Sequence, residues 1–97
     1  MTAFVSESRV RTERASRYLG QLCKHFEHKL PTTYDKDHGR IAFDAGTCHL
    51  DVEEKVLVIR AEADDEVSLA RLRGVVGSHL ERFAFRDKPE ILWKQVG

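Results

Sequence analysis

The sequence predicts an α+β fold, a two-layer sandwich in which two helices pack on one face of an antiparallel sheet. Two segments repeat apolar residues at spacings of three and four, which is the period of a helix with one buried face. Between them, short alternating segments joined by turn residues predict a meander of four strands. The predicted order is therefore strand, helix, four strands, helix, strand, in one domain spanning residues 1–97.

The first two elements are a strand and a helix. Residues 3–10 alternate weakly between apolar and polar side chains and predict an edge strand. Thr12 is expected to cap the helix that follows, and Pro31 is expected to end it. The apolar stripe of this helix comprises Ala15, Tyr18, Leu19, Leu22, Phe26 and Leu30.

Four short strands follow, predicted over 32–35, 39–44, 47–52 and 55–62. The third has the clearest alternation, since Cys48, Leu50 and Val52 face one side and the residues between them face the other. The fourth is apolar on both faces, which is typical of a strand in the middle of a sheet.

The second helix is predicted to open at the acidic run 64–66 and to continue to about Phe85, and a last strand is predicted over 90–95. Small residues, Ala70, Gly74 and Gly77, lie opposite its apolar stripe, where they indicate either a solvent-facing surface or close approach of a second helix in a homodimer. The stripe itself comprises Leu69, Leu72, Val76, His79, Leu80 and Phe83.

Composition excludes several classes of protein. Apolar residues make up 41% and charged residues 33% of the chain, which is typical of a globular domain. The 16 basic and 16 acidic residues balance, which argues against a nucleic-acid binder with a uniformly basic surface. The longest aliphatic run is 56–59 and no apolar leader is visible, so we predict a cytoplasmic protein that does not enter a membrane.

The charges are unevenly distributed along the chain. Residues 1–30 carry six bases and three acids, and residues 67–97 carry the same numbers, so each of these segments has a charge of +3. Residues 31–66 carry four bases and ten acids, a charge of −6. Both predicted helices lie in the basic segments. This favours either ordinary solvated faces or a basic surface where the helices meet.

Cys23 and Cys48 are expected to be reduced, buried thiols, because the chain has no C-x-x-C pair. A metal site is not expected, since Cys23 and His25 lie about 160° apart around the helix and His49 faces away from Cys48. His25 and His28 have a suitable spacing, but a site needs further ligands. We therefore predict no metal and no cofactor.

The candidate ligand site comprises His25, Lys29, His79, Arg82 and Arg86. His79 is the one ionisable residue central to an apolar stripe, so it is expected either to be a buried histidine with a hydrogen-bond partner or to point into a pocket. Arg82 and Arg86 are four residues apart beside that stripe, and His25 and Lys29 have the same spacing on the first helix. Facing each other, these flanks would form an anion site; the alternative is charge that complements the helix dipoles.

Three stretches resemble a bacterial family known as domain of unknown function 2218: RYLGQLCKHFEHKLP (17–31), HGRIAFDAGTCHLD (38–51) and SHLERFAFR (78–86). The resemblance covers essentially the whole chain. It implies a fold with the TATA-binding-protein-like order, and it implies an association with siderophore-interacting flavin reductases and ferric-siderophore use. It implies no catalytic residue. The matching motif residues are Cys23, His25, Phe26, His28, Lys29, Cys48, His79, Arg82, Phe83 and Arg86.

We therefore expect a small accessory or binding domain without catalysis, whose partner is a siderophore-interacting flavin reductase or an anionic small molecule. Two alternatives stay open. One is a small enzyme or proton-transfer domain that uses His79 with Cys48 or His25. The other is a homo-oligomeric structural protein that uses the small-residue stripe.

Overall fold

The computed structural model describes residues 4–96, and in this part of the chain it confirms the α+β class and the predicted order of elements. The strands are β1 (Phe4–Arg11), β2 (Thr32–Tyr34), β3 (His38–Ala42), β4 (Thr47–Glu53), β5 (Val56–Ala63) and β6 (Lys94–Gln95), and the helices are α1 (Ala15–Phe26) and α2 (Glu66–Phe83). The sheet order is β2-β3-β4-β5-β1-β6, and every neighbouring pair is antiparallel. Residue 3, the predicted start of the first strand, lies outside the described residues.

β5 lies inside the sheet, between β4 and β1, as its apolar composition predicts. Leu57 and Ile59 are fully buried on the side that faces the helices, and Val58 on the other side is only 7% exposed. The prediction that β1 is an edge strand was wrong, because β6 pairs with Ser6 and Glu7 on its outer side. This pairing joins residues almost ninety positions apart, which local alternation does not report.

α1 is shorter than its apolar stripe. It begins after Arg14, which is the N-cap without a side-chain cap. The Oγ1 atom of Thr12 accepts the N–H of Arg14 at 3.0 Å, so Thr12 shapes the turn before the helix instead of capping it. The helix ends at Phe26, and the N–H of Leu30 donates to the carbonyl of Phe26 at 2.9 Å in the turns that follow.

α1 approaches the sheet closely at Gly39 of β3. A Cβ atom at Gly39 would lie 2.7 Å from Sγ of Cys23 and 3.3 Å from Cδ1 of Leu50. These distances are shorter than van der Waals contact, so only glycine at this position allows the helix to approach β3 this closely. The position of every α1 side chain therefore depends on this contact.

α2 has the predicted N-terminal cap, since the side chain of Asp65 accepts the N–H of Ser68 at 2.7 Å. The helix ends at Phe83, earlier than the predicted end near Phe85. β6 contains only residues 94 and 95 instead of the predicted 90–95. The segment between them is irregular and packs Ile91 and Trp93 against the core.

Gly77 is buried, although its spacing places it with Ala70 and Gly74 on the solvent side of α2. A Cβ atom at Gly77 would lie 3.8 Å from Nε1 of Trp93. The chain's own C-terminal segment thus covers this part of the small-residue stripe. Ala70 and Gly74 are exposed, as that interpretation predicts.

The face of the sheet away from the helices is charged. Three of its ion pairs join neighbouring strands: Arg60 with Glu7 at 3.4 Å, His49 with Glu62 at 3.2 Å, and His38 with Asp51. A fourth joins Arg9 of β1 to Glu53 of β4 across β5. The acids of this face are thus paired within the chain. Neither described helix combines the length and apolar character that crossing a membrane requires.

Both cysteines are free and fully buried, as predicted. Burial raises the pKa of the Cys23 thiol to about 12 and raises the pKa of the Cys48 thiol above its ordinary value of 9.0. Because the thiolate is the reactive form, we expect Ellman's reagent to label the folded protein slowly and the denatured protein at once. Rapid labelling of both thiols under native conditions would contradict this burial.

Candidate functional site

The five predicted site residues lie along the groove between α1 and the C-terminal half of α2, but in two groups. The first group centres on His25 of α1 and His79 of α2, whose ring centroids are 4.8 Å apart; we call them the histidine pair. Phe26 lies 4.9 Å from His79 and Phe83 lies 5.7 Å from His25, so the pair is packed between aromatic rings. The structure therefore brings the flanks of the two helices together here.

His79 is half-buried at the margin of the α2 stripe instead of central to it. The buried face of α2 is instead rotated toward Gly77, which lies about 160° from His79 around the helix and is covered by Trp93. The predicted hydrogen-bond partner is present, because Nδ1 of His79 lies 2.7 Å from the carbonyl oxygen of Val75. Nδ1 must carry the proton to donate this bond, so in the neutral ring Nε2 is left as the acceptor.

The pKa of His25 lies below its ordinary value of 6.5. The main cause is loss of hydration beside the packed rings, and His79, Arg82 and Lys29 add repulsion of the imidazolium. Arg82 and Lys29 are thus near enough to act on His25. A cleft of about 460 Å³ adjoins this group at the end of α1, lined by His25, Phe26, His28, Lys29 and Leu30.

Arg86 lies in the second group, at the other end of the groove. Here the first turns of α1 and the residues after α2 enclose a cleft of about 420 Å³. We call it the arginine cleft; it is lined by Arg14, Arg17, Tyr18, Gln21, Phe83, Phe85, Arg86 and Asp87. Phe83 links the two groups, because it lines this cleft and also contacts His25.

Asp87 is neutralised within the arginine cleft. Its carboxylate accepts a hydrogen bond from the hydroxyl of Tyr18 and another from Nη1 of Arg14 at 2.8 Å. The Tyr18 bond, followed by the charge of Arg14, holds the pKa of Asp87 below its ordinary value of 3.8. Burial and the same hydrogen bond raise the pKa of Tyr18 above 10.0. Asp87, Tyr18 and Arg14 therefore form a fixed unit, in which the charge of Arg14 is paired with that of Asp87.

Two arginines of the cleft have no carboxylate partner among residues 4–96. Arg17 forms no ion pair, and Arg86 lies over the ring of Phe85 with 5.6 Å between the guanidinium carbon and the ring centroid. The three arginines and Asp87 leave the cleft with a charge of +2. Gln21 adds an oxygen, Oε1, that is buried without a hydrogen-bond partner in the described chain. The two guanidinium groups are suited to holding an anion, whereas Oε1 of Gln21 only accepts hydrogen bonds and adds nothing to that role.

The sequence prediction missed most of the residues of the arginine cleft. Arg17 and Tyr18 lie three and four residues after Arg14, and Gln21 lies four and three residues after them, which places all four on one flank of α1. That spacing was available as a signal. The sequence contains no comparable signal for Asp87, because its partners Arg14 and Tyr18 are about seventy residues away in the chain.

The charged sheet face has a further cleft, of about 410 Å³, beside the pair of His38 and Asp51. It lies on the opposite side of the sheet from the groove. Within residues 4–96, no three His, Cys, Asp or Glu side chains are placed to share a metal ion.

The two histidines at these separate places provide a pH test. Loss of hydration lowers the pKa of His25 below 6.5, whereas the hydrogen bond that His38 donates to Asp51 raises the pKa of His38 above 6.5. We expect NMR titration of the Hε1 signals to give that order. His38 then stabilises the fold below pH 6.5, and this contribution is lost as pH rises through its folded pKa. His25 has the opposite effect on stability. Because its pKa is lower in the folded state, the unfolded chain is protonated first as the pH falls through 6.5, and this destabilises the fold. Equal titration midpoints for His25 and His38 would contradict both the desolvation of His25 and the pairing of His38 with Asp51.

Comparison with known proteins gives two findings. A family model described as "uncharacterized protein conserved in bacteria (DUF2218)" matches residues 7–94. The chain is also similar to an NMR structure of PA4090 from Pseudomonas aeruginosa, with a TM-score of 0.80 and 38% identity over 95% of this chain and 96% of that one. Among curated proteins, none matches the chain.

Proposed function

Because the chain belongs to this uncharacterised family conserved in bacteria, DUF2218, its function has to be argued from its own residues, and we propose that it is a non-catalytic binding domain that holds an anionic group in the arginine cleft. The observation that carries the proposal is the pair of guanidinium groups, Arg17 and Arg86, which line one cleft without a carboxylate partner among residues 4–96. Two such groups match the oxygens of a carboxylate or phosphate.

The fixed unit of Asp87, Tyr18 and Arg14 supports the same proposal. It shows that this cleft already holds one carboxylate by a phenol hydroxyl and a guanidinium. A second anion would meet Arg17 and Arg86, neither of which forms an ion pair with Asp87. Because Tyr18 is buried and Asp87 is held by two donors, the cleft is ordered before a ligand binds, which lowers the entropic cost of binding.

The ligand class follows from the charge of the cleft. Carboxylates such as citrate, phosphate groups and a ferric siderophore all present several anionic oxygens. The family resemblance favours the siderophore and a siderophore-interacting flavin reductase as partner, and we propose that the domain acts as a cytoplasmic accessory protein. We therefore propose, more specifically, a ferric siderophore as the ligand and a siderophore-interacting flavin reductase as the partner. Lys29 and Arg82 extend the positive charge along the groove.

A titration with citrate tests the proposal directly. In two-dimensional NMR spectra we expect citrate to shift the signals of residues 14–21 and 83–87 in a saturable manner. The double variant Arg17→Gln, Arg86→Gln should bind at least about tenfold more weakly, because two charge-assisted contacts are lost. Raising the salt to about 0.5 M should weaken wild-type binding as well, since the arginines are exposed.

The matched control is Arg40→Gln on the opposite face of the sheet. Arg40 is exposed and forms no ion pair within residues 4–96, so its loss changes the net charge without touching the groove. It should leave citrate affinity nearly unchanged. If citrate shifts the signals of the charged sheet face instead, or if Arg40→Gln weakens binding as much as Arg17→Gln, the arginine cleft is not the anion site.

The enzyme alternative is favoured by the histidine pair, because Nε2 of His79 and the neutral ring of His25 could exchange a proton with a ligand. Its pairing of His79 with Cys48 meets a geometric obstacle, since the Cys48 thiol has no exposed surface. The structural-protein alternative relied on Ala70, Gly74 and Gly77, and the cover of Trp93 over Gly77 interrupts that stripe. Both observations favour the binding domain.

A further inference from the structure

We infer that the ligand of the arginine cleft is an acidic segment of a partner protein, which places a carboxylate between Arg17 and Arg86 and an apolar side chain against Phe85. This inference rests on the proposed function, because it names the class of ligand for the same cleft. Three parts of the structure support it: an exposed aromatic ring at the rim, the contact of that ring with one of the two arginines, and the length of the basic groove.

The first part is the exposed ring of Phe85. This side chain is 63% exposed, although it lines the arginine cleft. It also lines an adjoining niche of about 320 Å³, which we call the Phe85 niche and which is formed by Glu81, Phe85, Lys88 and Pro89. A small anion in the cleft would leave this ring in water. Aromatic side chains beside arginine are instead enriched at the centres of protein interfaces.

The second part is the contact between Arg86 and Phe85. The guanidinium lies over the ring with 5.6 Å between its carbon and the centroid, so the charge and the apolar surface are adjacent. A ligand that matches both must carry an acidic group and an apolar group close together. Acidic and apolar residues near each other in a peptide satisfy this, whereas citrate or phosphate supplies only the charge.

The third part is the extent of the groove. Basic residues continue beyond the arginine cleft to Arg82 and Lys29, which lie near His25, and a second cleft lies at that end. A single small anion reaches one end only. An extended segment with several acids can meet bases along the groove, which makes charge complementarity favour a polypeptide.

The test compares three peptides of 12 residues, each acetylated, amidated and labelled with fluorescein. The first places four glutamates around a central leucine–phenylalanine pair; the second replaces that pair with two serines; the third replaces the glutamates with glutamines. We expect anisotropy titrations to show the first binding about tenfold more tightly than the second, and the third not binding measurably.

Phe85→Ala should remove the tenfold advantage of the first peptide over the second, because the ring that the apolar pair contacts is lost. Leu92→Ala is the matched control, because Leu92 is 67% exposed and lies outside both the arginine cleft and the Phe85 niche. It should not alter the binding of any of the three peptides. Thermal melts of both variants should resemble the wild type, since both side chains are largely exposed.

The outcomes separate the two proposals. If citrate binds the arginine cleft but the first two peptides bind equally, the inference is overturned and the anion site stands. If citrate binding does not depend on Arg17 and Arg86, the proposed function itself fails. Sedimentation equilibrium of the protein alone adds one more outcome: a dimer that Phe85→Ala disrupts would make a second copy of this chain the occupant and would overturn the acidic partner.

Discussion

Replacing Gly46 with alanine is expected to unfold much of the population at temperatures where the wild-type protein is stable. Gly46 closes the turn between β3 and β4, where its carbonyl accepts the N–H of Phe43 at 2.8 Å. The added Cβ atom would lie 2.0 Å from the backbone oxygen of Glu62 and 3.2 Å from the Cα atom of Ala63. Backbone atoms of an interior strand cannot move aside as a side-chain end can. The turn and the end of β5 would therefore have to separate.

We expect Gly46→Ala to lower the free energy of unfolding by about 3 kcal/mol or more, the range of severe single substitutions. For a domain of this size that corresponds to a fall in melting temperature of about 12–24 °C. Circular dichroism melts give the measurement. Gly74→Ala is the control, because a Cβ atom at Gly74 meets nothing within 4 Å and alanine favours the helix, so stability should rise by about 0.5–1 kcal/mol. A Gly46→Ala protein as stable as the wild type would mean that this turn is placed differently.

Most of the fold could be predicted because its elements have strong local periodicity. The stripe from Leu69 to Leu80 places α2, and the two-sided apolar pattern of 55–62 places β5 inside the sheet. The errors concern contacts between distant parts of the chain. The pairing of β6 with β1 and the cover of Trp93 over Gly77 both depend on where the C-terminal segment returns, and neither leaves a periodic signal nearby.

The candidate site could be predicted in part, for the same reason. Helical spacing placed bases along a flank of each helix, and the histidine pair shows that these flanks do meet. Spacing alone does not say how far the helices stay in contact. α2 ends at Phe83, so Arg86 is no longer on a helix and lies with the start of α1 instead of with His25. The residues predicted to form one site therefore lie in two groups, the histidine pair and the arginine cleft, at opposite ends of the groove.

The second large effect is expected from a substitution at Gly39, where α1 packs closely on the sheet. A Cβ atom at Gly39 would lie 2.7 Å from Sγ of Cys23, so Gly39→Ala should push α1 away from β3 and cost about 1–3 kcal/mol, as other overpacked cores do. α1 carries Arg17 and Tyr18, and its displacement would move them relative to Arg86. We therefore expect Gly39→Ala to weaken citrate binding in addition to lowering the melting temperature.

The double variant Gly39→Ala, Cys23→Ala decides whether this contact is the cause. Removing Sγ leaves the new methyl group facing Cδ1 of Leu50 at 3.3 Å and Cδ2 of Leu19 at 3.4 Å, the flexible ends of two side chains. Cys23→Ala alone should cost about 1 kcal/mol, yet in the Gly39→Ala background it should recover stability, because contacting residues couple by about 0.5–3 kcal/mol. Citrate affinity should recover in parallel, since α1 returns to its original distance from β3. Additive losses of stability, or recovered stability without recovered binding, would show that the height of α1 does not set the geometry of the arginine cleft.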